Sequence, residues 1–274
     1  MVEIYPIDTG SFLLDGGSMF GVVPRALWGQ SNPPDAKNRI RMGMLSLLVR
    51  HGEHKIIVDA GVGNYTDEKF RKLYPLDNPD FDFDEALSAM GEHTGSITDV
   101  VLTHLHFDHA GGIVRRREGR MGLTFERARI WVQRAQWQWA KEPSARDRAS
   151  YFKTYMDVVG GSEQLRLVDG PGEILPGVEV LCFNGHTPGM QGVLIDAGEE
   201  KCFFAGDLIP LASHLRVPYI MAFDTNPLVT AEEKEGILER ACAEHWLVYF
   251  QHDTECTKAH IVRENDRYIP APVE

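Results

Sequence analysis

One stretch decides the fold: VVLTHLHFDHAGG at residues 100–112. Its first three residues are apolar and predict the end of a buried strand. Three histidines and one aspartate then fall within the six residues from His104 to His109. In a packed core, so many polar side chains would each need a partner, whereas imidazole nitrogen and carboxylate oxygen are common zinc ligands. The stretch therefore predicts a metal site at a strand end, and Gly111 and Gly112 let the backbone turn beside it.

Three further candidate ligands lie later in the chain, each directly after a predicted strand. They are His186, Asp207 and His252. Each of these residues alone is weak evidence for a metal site, because polar residues after strands are common. Together with the cluster His104–His109 they supply seven ligands, enough for two ions that share a bridging carboxylate and a water.

The composition argues against several classes of protein. The 274 residues carry a formal net charge of −12, and an acidic chain is a poor partner for nucleic acid. The longest apolar runs have strand length, well short of the ~20 residues that span a bilayer, so no membrane partner is expected. The first residues lack the basic and apolar regions of a signal peptide. The four cysteines form no C-x-x-C pair, which favours a reducing, cytoplasmic setting without disulfides.

Apolar and alternating patterns predict strands and helices along the whole chain. The predicted strands are Ile4–Asp8, Met42–Arg50, Lys55–Asp59, Thr98–Leu102, Arg129–Val132, Val178–Phe183, Gly192–Asp196, Lys201–Ala205 and Leu247–Phe250. The predicted helices are Thr66–Tyr74, Phe83–Met90, Arg134–Ala140, Ala145–Val158 and Thr230–Ala243, the last with Thr230 as its N-cap. Several strands follow one another without a helix, so two mixed sheets with outer helices fit better than a parallel doubly wound sheet. No linker divides residues 1–274, so we expect a single domain.

The segment 16–41 has a different character. It is rich in glycine and proline, which predicts an irregular loop. It also contains Phe20 and Trp28, which favour a loop that docks onto the protein. Long loops in compact domains are usually functional or disordered. We therefore expect this segment to cover the active site, with protection of a sheet edge as the alternative.

The seven candidate ligands resemble the signature of the metallo-β-lactamase superfamily, H-x-H-x-D-H followed by a distant His, Asp and His. The resemblance extends from Val58 to His252. It implies an α/β fold, the αββα sandwich of two mixed β-sheets flanked by helices, with the metals at one edge between the sheets. It also implies an assignment of ligands: one metal on His104, His106 and His186, the other on Asp108, His109 and His252, and Asp207 bridging both together with a hydroxide. Asp59 matches a family aspartate near the site and is expected to support the ligands.

Within the superfamily, residues 103–112 look like those of the quorum-quenching N-acyl-homoserine lactonases. Residues 16–24 and 206–210 look like the branch that contains YtnP-type lactonases and methyl parathion hydrolase. The chain departs from the lactonases in one respect. Many of them carry a catalytic Tyr shortly after the bridging aspartate, but residues 208–211 read LIPL here, and Tyr219 would have to approach from another direction.

The resemblance implies a dinuclear metal-dependent hydrolase that acts on a lactone or ester, with Asp108 passing a proton to the leaving group. The expected substrate-binding residues are Phe20, Trp28, Phe107, Leu208, His214 and Tyr219. Zinc is the preferred metal, and Fe, Mn and Co also suit mixed nitrogen and oxygen ligands. The expected partner is a small-molecule substrate. The sequence leaves the formation of a homodimer undecided.

Other functions remain as alternatives. A phosphotriesterase is the nearest, because the same hydroxide can attack phosphorus. A glyoxalase II-type thioesterase fits residues 185–189 but usually has a His where Met190 stands. β-Lactamases are disfavoured because Asp207 replaces their Cys or Ser, and flavodiiron proteins because they carry an acidic residue in place of His106. A non-hydrolytic metal-binding protein is opposed by the seven intact ligands.

Overall fold

The computed structural model describes residues 2–271 and Val273. The strands within this part are β1 (Val2–Asp15), β2 (Arg39–His51), β3 (His54–Val58), β4 (Asp99–Val101), β5 (Val114–Arg117), β6 (Arg120–Leu123), β7 (Arg129–Gln133), β8 (Leu165–Val168), β9 (Gly172–Leu175), β10 (Val178–Phe183), β11 (Met190–Asp196), β12 (Lys201–Phe204), β13 (Leu247–Tyr249), β14 (Lys258–Glu264) and β15 (Arg267–Ala271). The α-helices are α1 (Gly16–Phe20), α2 (Arg25–Trp28), α3 (Glu68–Leu73), α4 (Phe83–Ser88), α5 (Phe107–Ala110), α6 (Arg134–Lys141), α7 (Lys153–Gly160) and α8 (Pro227–Ala243). Short 3-10 helices cover Thr94–Ser96, Gly111–Ile113, Arg148–Ser150, Gly206–Leu208 and Ala212–Leu215.

The first of two compact units comprises Met1–Ser11 and Met44–Gly170. Its strands belong to a mixed sheet of order β1-β2-β3-β4-β7-β8, in which β2 and β3 are antiparallel and the strands from β3 to β8 run parallel. The long apolar run of β2 is buried on both faces, which suits a strand inside a sheet. Helices α6 and α7 pack over this unit's strands, and the parallel order places the ends of β4 and β7 at one edge.

The second unit comprises Phe12–Gly43 and Pro171–Glu274. Its seven-stranded sheet has the order β15-β14-β13-β12-β11-β10-β9, with β12 and β13 parallel and the other pairs antiparallel. Helix α8 packs against β14 and buries Ile237, Leu238 and Ala241. Both sheets are mixed and both units carry helices, so the expected α/β class with two mixed sheets is confirmed. The expected single domain stays a prediction.

Two expectations about local structure were wrong. The irregular loop expected at 16–41 is found only at residues 21–24 and 29–38, because α1 and α2 lie within the segment and β2 begins at Arg39. The side chain of Asp15 accepts a hydrogen bond from the Ser18 N–H at 2.8 Å and so caps α1. The helix expected at 145–158 begins only at Lys153, because the Ser144 hydroxyl donates to Asp147 (2.7 Å) in a turn that precedes a 3-10 helix.

The four cysteines are free, as expected, and burial raises the pKa of the Cys182 and Cys202 thiols to about 11. Both thiols therefore stay protonated and are poor nucleophiles. Within residues 2–271 and 273, no helix has the length and apolarity needed to cross a bilayer.

Candidate functional site

The first unit carries a His/Asp cluster directly after β4. His104 and His106 lie on the loop that leaves the strand, while Asp108 and His109 lie on α5. The His104 ring centroid is 4.4 Å from that of His106 and 3.9 Å from that of His109. Asp108 Oδ2 lies 3.9 Å from His109 Nε2. The three imidazoles are buried, so the short loop concentrates nitrogen and oxygen donors in one place.

Glycine is needed where this loop returns to the sheet. A Cβ atom added at Gly111 would collide with the Val62 carbonyl, and one at Gly112 would collide with the Ala60 carbonyl. The Gly112 N–H donates to the Gly61 carbonyl at 2.9 Å. The backbone of the cluster can therefore approach this neighbouring segment only because both positions lack side chains.

Asp59 supports the cluster from beneath. Its Oδ1 accepts from the Thr103 N–H (2.7 Å), and its Oδ2 accepts from the Thr103 hydroxyl (2.7 Å) and lies 2.9 Å from His109 Nδ1. Asp59 is fully buried and has a φ of 54°, an uncommon conformation for a residue other than glycine. With Nδ1 of His109 engaged by this carboxylate, the Nε2 atom is directed away from it and toward the cluster.

Helices α6 and α7 hold the backbone between the first two histidines, which the sequence did not suggest. The Tyr155 hydroxyl donates to the Leu105 carbonyl, and Gln136 Oε1 accepts from the Leu105 N–H at 3.3 Å. The same Gln136 oxygen accepts from the Tyr151 hydroxyl at 3.3 Å. Burial keeps the pKa of Tyr155 well above its ordinary value, so its hydroxyl remains a donor. These bonds fix the peptide unit that sets the spacing of His104 and His106.

The second unit carries its own cluster, centred on Asp207. His186 follows β10, Asp207 follows β12 and His252 follows β13. Asp207 Oδ2 lies 3.2 Å from His186 Nε2, and its Oδ1 lies 3.0 Å from His252 Nε2. Two ligand atoms about 2.1 Å from one tetrahedral zinc ion are about 3.4 Å apart. The carboxylate thus presents a different oxygen to each imidazole, at spacings close to those of ligands around an ion.

The imidazoles of this second cluster are also held from behind. His186 Nδ1 lies 2.8 Å from Asp224 Oδ1, and His252 Nδ1 lies 2.6 Å from the Gly43 carbonyl oxygen. Asp224 was not recognised in the sequence, because it is 38 residues from His186 and belongs to no spacing motif. Engaged Nδ1 atoms leave Nε2 for a metal, so the donors and their orientation fit divalent ions. Each unit therefore carries His and Asp side chains that could contribute to metal binding, whereas the role of each residue stays a prediction.

Asp224 offers a direct test of this orientation. Replacing Asp224 by Ala removes the partner of His186 Nδ1, so metal affinity should fall about 10- to 100-fold. A competition titration against a chromophoric chelator measures that affinity. Asp196→Ala, at an exposed position on β11, is the matched control and should bind metal normally. Unchanged affinity in Asp224→Ala would show that Asp224 does not orient His186.

Five of the six expected substrate-binding residues lie in the second unit, and they are buried. Phe20 stacks on Trp28 (centroids 5.0 Å apart) and on His214 (4.9 Å), and packs edge-on against Tyr219 (5.7 Å). Phe20 and Trp28 are 0% and 1% exposed, and Leu208 is equally buried. This aromatic cluster anchors α1 and α2 within the unit. A contact between these side chains and a substrate stays a prediction.

His214 and Tyr219 have defined partners inside this unit. His214 Nε2 lies 2.9 Å from the Met19 carbonyl oxygen, which makes that nitrogen the donor. Burial, reinforced by the charge of Lys234, lowers the pKa of His214 to about 3, so the ring is neutral. The Tyr219 hydroxyl accepts from the Arg216 guanidinium at 2.9 Å. Both residues tie the segment after Asp207 to its surroundings.

Phe107, the sixth of these residues, lies in the first unit. Its ring contacts Phe70 (5.0 Å), Tyr74 (5.3 Å) and Phe152 (5.3 Å). These rings come from α3, the residue that follows it and the residue before α7. They form a second aromatic cluster next to Asp108, which the sequence spacing did not reveal.

Comparison with known proteins identifies the family. Residues 43–252 match the metallo-beta-lactamase superfamily, and this match covers most of the chain, so the protein belongs to that superfamily. The matched range contains all seven candidate ligands.

Sequence identity to the individual relatives is low. An N-acyl homoserine lactonase of Bacillus cereus is 27% identical over 178 residues, which cover 63% of this chain and 62% of that protein. The match thus spans less than two thirds of that relative. A solved structure of a probable metal-dependent hydrolase from Staphylococcus aureus is 26% identical, with a TM-score of 0.90 over 100% of this chain and 98% of that chain. A dizinc quorum-quenching lactonase, solved with N-hexanoyl-L-homoserine, is 20% identical, with a TM-score of 0.82 over 100% and 95% of the two chains. The last likeness shows the shared fold alone.

Proposed function

We propose that this protein is a dinuclear metal-dependent hydrolase that opens a lactone or cleaves a related ester. The observation that carries the proposal is the Asp207 carboxylate, which lies 3.2 Å from His186 Nε2 and 3.0 Å from His252 Nε2. A carboxylate that offers one oxygen to each of two imidazoles suits a residue shared by two ions. The superfamily membership supports the same conclusion.

In this proposal the two clusters act together. The first ion would be held by His104, His106 and His186, the second by Asp108, His109 and His252, with Asp207 shared between them. The donor set favours zinc, and Fe, Mn or Co would also fit. When bound, such ions would supply a hydroxide at neutral pH and would polarise the scissile carbonyl. No serine or cysteine nucleophile is then required.

Asp108 is the proposed proton carrier. Its side chain is 13% exposed, whereas the neighbouring His109 side chain is completely buried. A carboxyl group that reaches solvent can exchange protons and deliver one to the leaving alkoxide oxygen. Asp59, Asp224 and the Gly43 carbonyl orient the imidazoles throughout the reaction.

The lactone or ester preference is supported by the Bacillus cereus relative, which is named an N-acyl homoserine lactonase. We infer that segment 16–41 lies over the active site and that Phe20, Trp28, Phe107, Leu208, His214 and Tyr219 shape the substrate pocket. We further propose a single domain and, from the four free cysteines, a cytoplasmic location. The proposed substrate is a small molecule. A homodimer is compatible with the proposed function.

A substrate panel tests the proposal. Zinc-loaded protein should hydrolyse N-hexanoyl homoserine lactone or p-nitrophenyl butyrate faster than the phosphotriester paraoxon, with each rate taken relative to the uncatalysed reaction. A strong preference for paraoxon would replace the lactonase by a phosphotriesterase. Absence of turnover for all three compounds would contradict hydrolysis of these classes.

A further inference from the structure

Helix α8 lies against the loop that presents His186. A Cβ atom added at Gly185 would lie 2.3 Å from the Thr230 backbone nitrogen, so only glycine allows this close approach. The Asn226 N–H donates to the Gly185 carbonyl at 2.8 Å, and the Thr225 N–H donates to the His186 carbonyl at 2.9 Å. The two residues that lead into α8 therefore hold the carbonyl groups of this loop.

Glu233, in the second turn of α8, holds the amide groups of the same loop. Its Oε1 accepts from the Asn184 N–H at 2.7 Å, and its Oε2 accepts from the Gly185 N–H at 3.0 Å. These N–H groups belong to the two residues directly before His186. Hydrogen bonds to an ionised carboxylate are roughly twice as strong as those between neutral groups. One carboxylate thus fixes two successive peptide units, each through its own oxygen.

Burial distinguishes Glu233 from its neighbours on the helix. Glu233 is half-buried, whereas Glu232 and Glu235 are exposed. Burial raises the pKa of the Glu233 carboxyl, and the nearby charge of Asp224 also raises it, while the two backbone N–H donors lower it. A charged group in such surroundings is unfavourable unless hydrogen-bond donors compensate it. The Glu233 carboxylate is therefore bound to the loop and does not simply extend into water.

His186 is thereby held at its ring and at its backbone. Asp224 Oδ1 lies 2.8 Å from His186 Nδ1, the position from which a carboxylate orients a metal-binding imidazole. Glu233 fixes the peptide units that place the His186 Cα atom. In this arrangement His186 Nε2 lies 3.2 Å from Asp207 Oδ2. Because the groups of a metal site must be held to within about 0.5 Å, loosening of this backbone alone should weaken the site.

We propose that Glu233 is a positioning residue for metal binding, which holds the backbone before His186 so that the imidazole meets the ion. The inference rests on the proposed function, in which His186 is a metal ligand, and adds a residue that acts through the backbone and not as a ligand. Helix α8 then serves as the platform of the His186 loop, since Glu233 lies within it and Asp224 lies shortly before it.

The zinc affinity of Glu233 variants tests the proposal. Glu233→Gln keeps the shape of the side chain but replaces one acceptor oxygen by an NH2 group that would face a backbone N–H. Its affinity for zinc, measured by competition with a chromophoric chelator, should fall about tenfold. Glu235→Gln removes the same charge at an exposed position on α8 and should bind zinc normally. A thermal melt checks that each variant is folded.

A second variant keeps the test independent of Glu233→Gln. Glu233→Asp retains the charge but is one methylene shorter, so its carboxylate cannot reach both N–H groups. Its zinc affinity should also fall, by a smaller factor than that of Glu233→Gln. Unchanged affinity in every folded Glu233 variant overturns the proposal.

Removal of His186 separates a positioning role from a general contribution to the fold. In a His186→Ala background, addition of Glu233→Gln should leave the residual zinc affinity unchanged, because the side chain that Glu233 positions is gone. An equal loss of affinity with and without His186 would mean that Glu233 supports the fold in general, and it would overturn the proposal.

Turnover of p-nitrophenyl butyrate distinguishes this inference from the proposed function. A loss of zinc affinity that depends on His186 supports the positioning role even where no lactone or ester is hydrolysed, and in that case only the hydrolase proposal fails. An active enzyme whose folded Glu233 variants bind zinc like the unaltered protein would leave the hydrolase intact and remove the role of Glu233.

Discussion

Replacement of Asp207 by Asn should lower kcat/KM for the best lactone or ester by about 10³-fold. The amide keeps the shape of the side chain but loses its charge and one metal-binding oxygen. Bound metal contributes several kcal/mol to transition-state stabilisation, and a loss of about 4 kcal/mol corresponds to about 10³ in rate. Because the carboxylate reaches both His186 and His252, the variant should also bind fewer than two ions.

The control for this variant lies on the same sheet. Asp196 is exposed at the end of β11, so Asp196→Asn should leave kcat/KM and metal content unchanged. Metal content is measured by elemental analysis after gel filtration, and folding by circular dichroism. A folded Asp207→Asn protein that retains two ions and at least a tenth of the activity would remove Asp207 from the centre of the proposal.

Lys234 should give the folded protein a distinct dependence on pH. Its ammonium is buried in α8, 1% exposed, and donates to the Tyr219 carbonyl at 2.6 Å and to the Arg216 carbonyl at 3.3 Å. Burial lowers the pKa of Lys234 from 10.5 to about 7. Between these values the unfolded chain holds a proton that the folded chain has released, so the folded state gains stability as the pH rises. Burying the charged ammonium destabilises the folded state. This free-energy penalty is fully present below about pH 7 and disappears above about pH 10.5.

Comparison with Lys234→Met isolates this effect. The free energy of unfolding of the unaltered protein, minus that of the variant, should increase by about 3 kcal/mol from pH 7 to pH 10, since one pKa unit equals about 1.4 kcal/mol. Urea denaturation of both proteins at several pH values measures this difference. Lys69→Met, at an exposed position on α3, should show no such trend. A difference that stays constant with pH would mean that Lys234 is protonated in the folded protein.

Strands with strong apolar patterns could be predicted, whereas element starts that depend on polar contacts could not. β10 was expected at Val178–Phe183 and is found there. α8 was expected to begin with Thr230 as N-cap, but it begins at Pro227 after Asn226, with the Thr230 hydroxyl bonded back to the Asn226 carbonyl at 3.3 Å. Proline at the first helical position is favourable, so Pro227 marks the start of this helix. The run of arginines at 115–117 lies on β5, which pairs with β6 in a hairpin that is absent from the predicted strands.

The α1–α2 segment shows a further limit of sequence patterns. Gly16 and Gly17 suggest a turn, yet they begin a helix capped by Asp15. The helix persists because Phe20 packs between Trp28 and His214. Tertiary packing of this kind outweighs intrinsic propensity, and spacing along the chain does not reveal it.

For the site, the chain order of polar residues after strands located the ligand candidates of both clusters. Most of the residues that hold those ligands could not be predicted from the sequence. Asp59 was expected from the family resemblance, whereas Asp224, Gln136 and Tyr155 act through contacts between distant segments. Such partners are chosen by position in space, since any nearby acceptor or donor can serve. The Gly43 backbone carbonyl that holds His252 carries no side-chain signal at all.

A metal titration tests the central claim most directly. Protein stripped by a chelator and dialysed should not hydrolyse N-hexanoyl homoserine lactone or p-nitrophenyl butyrate. Stepwise addition of zinc should restore turnover, with full activity only when two equivalents are bound. Undiminished turnover by the metal-free protein, or full activity with a single bound ion, would contradict a dinuclear metal-dependent hydrolase.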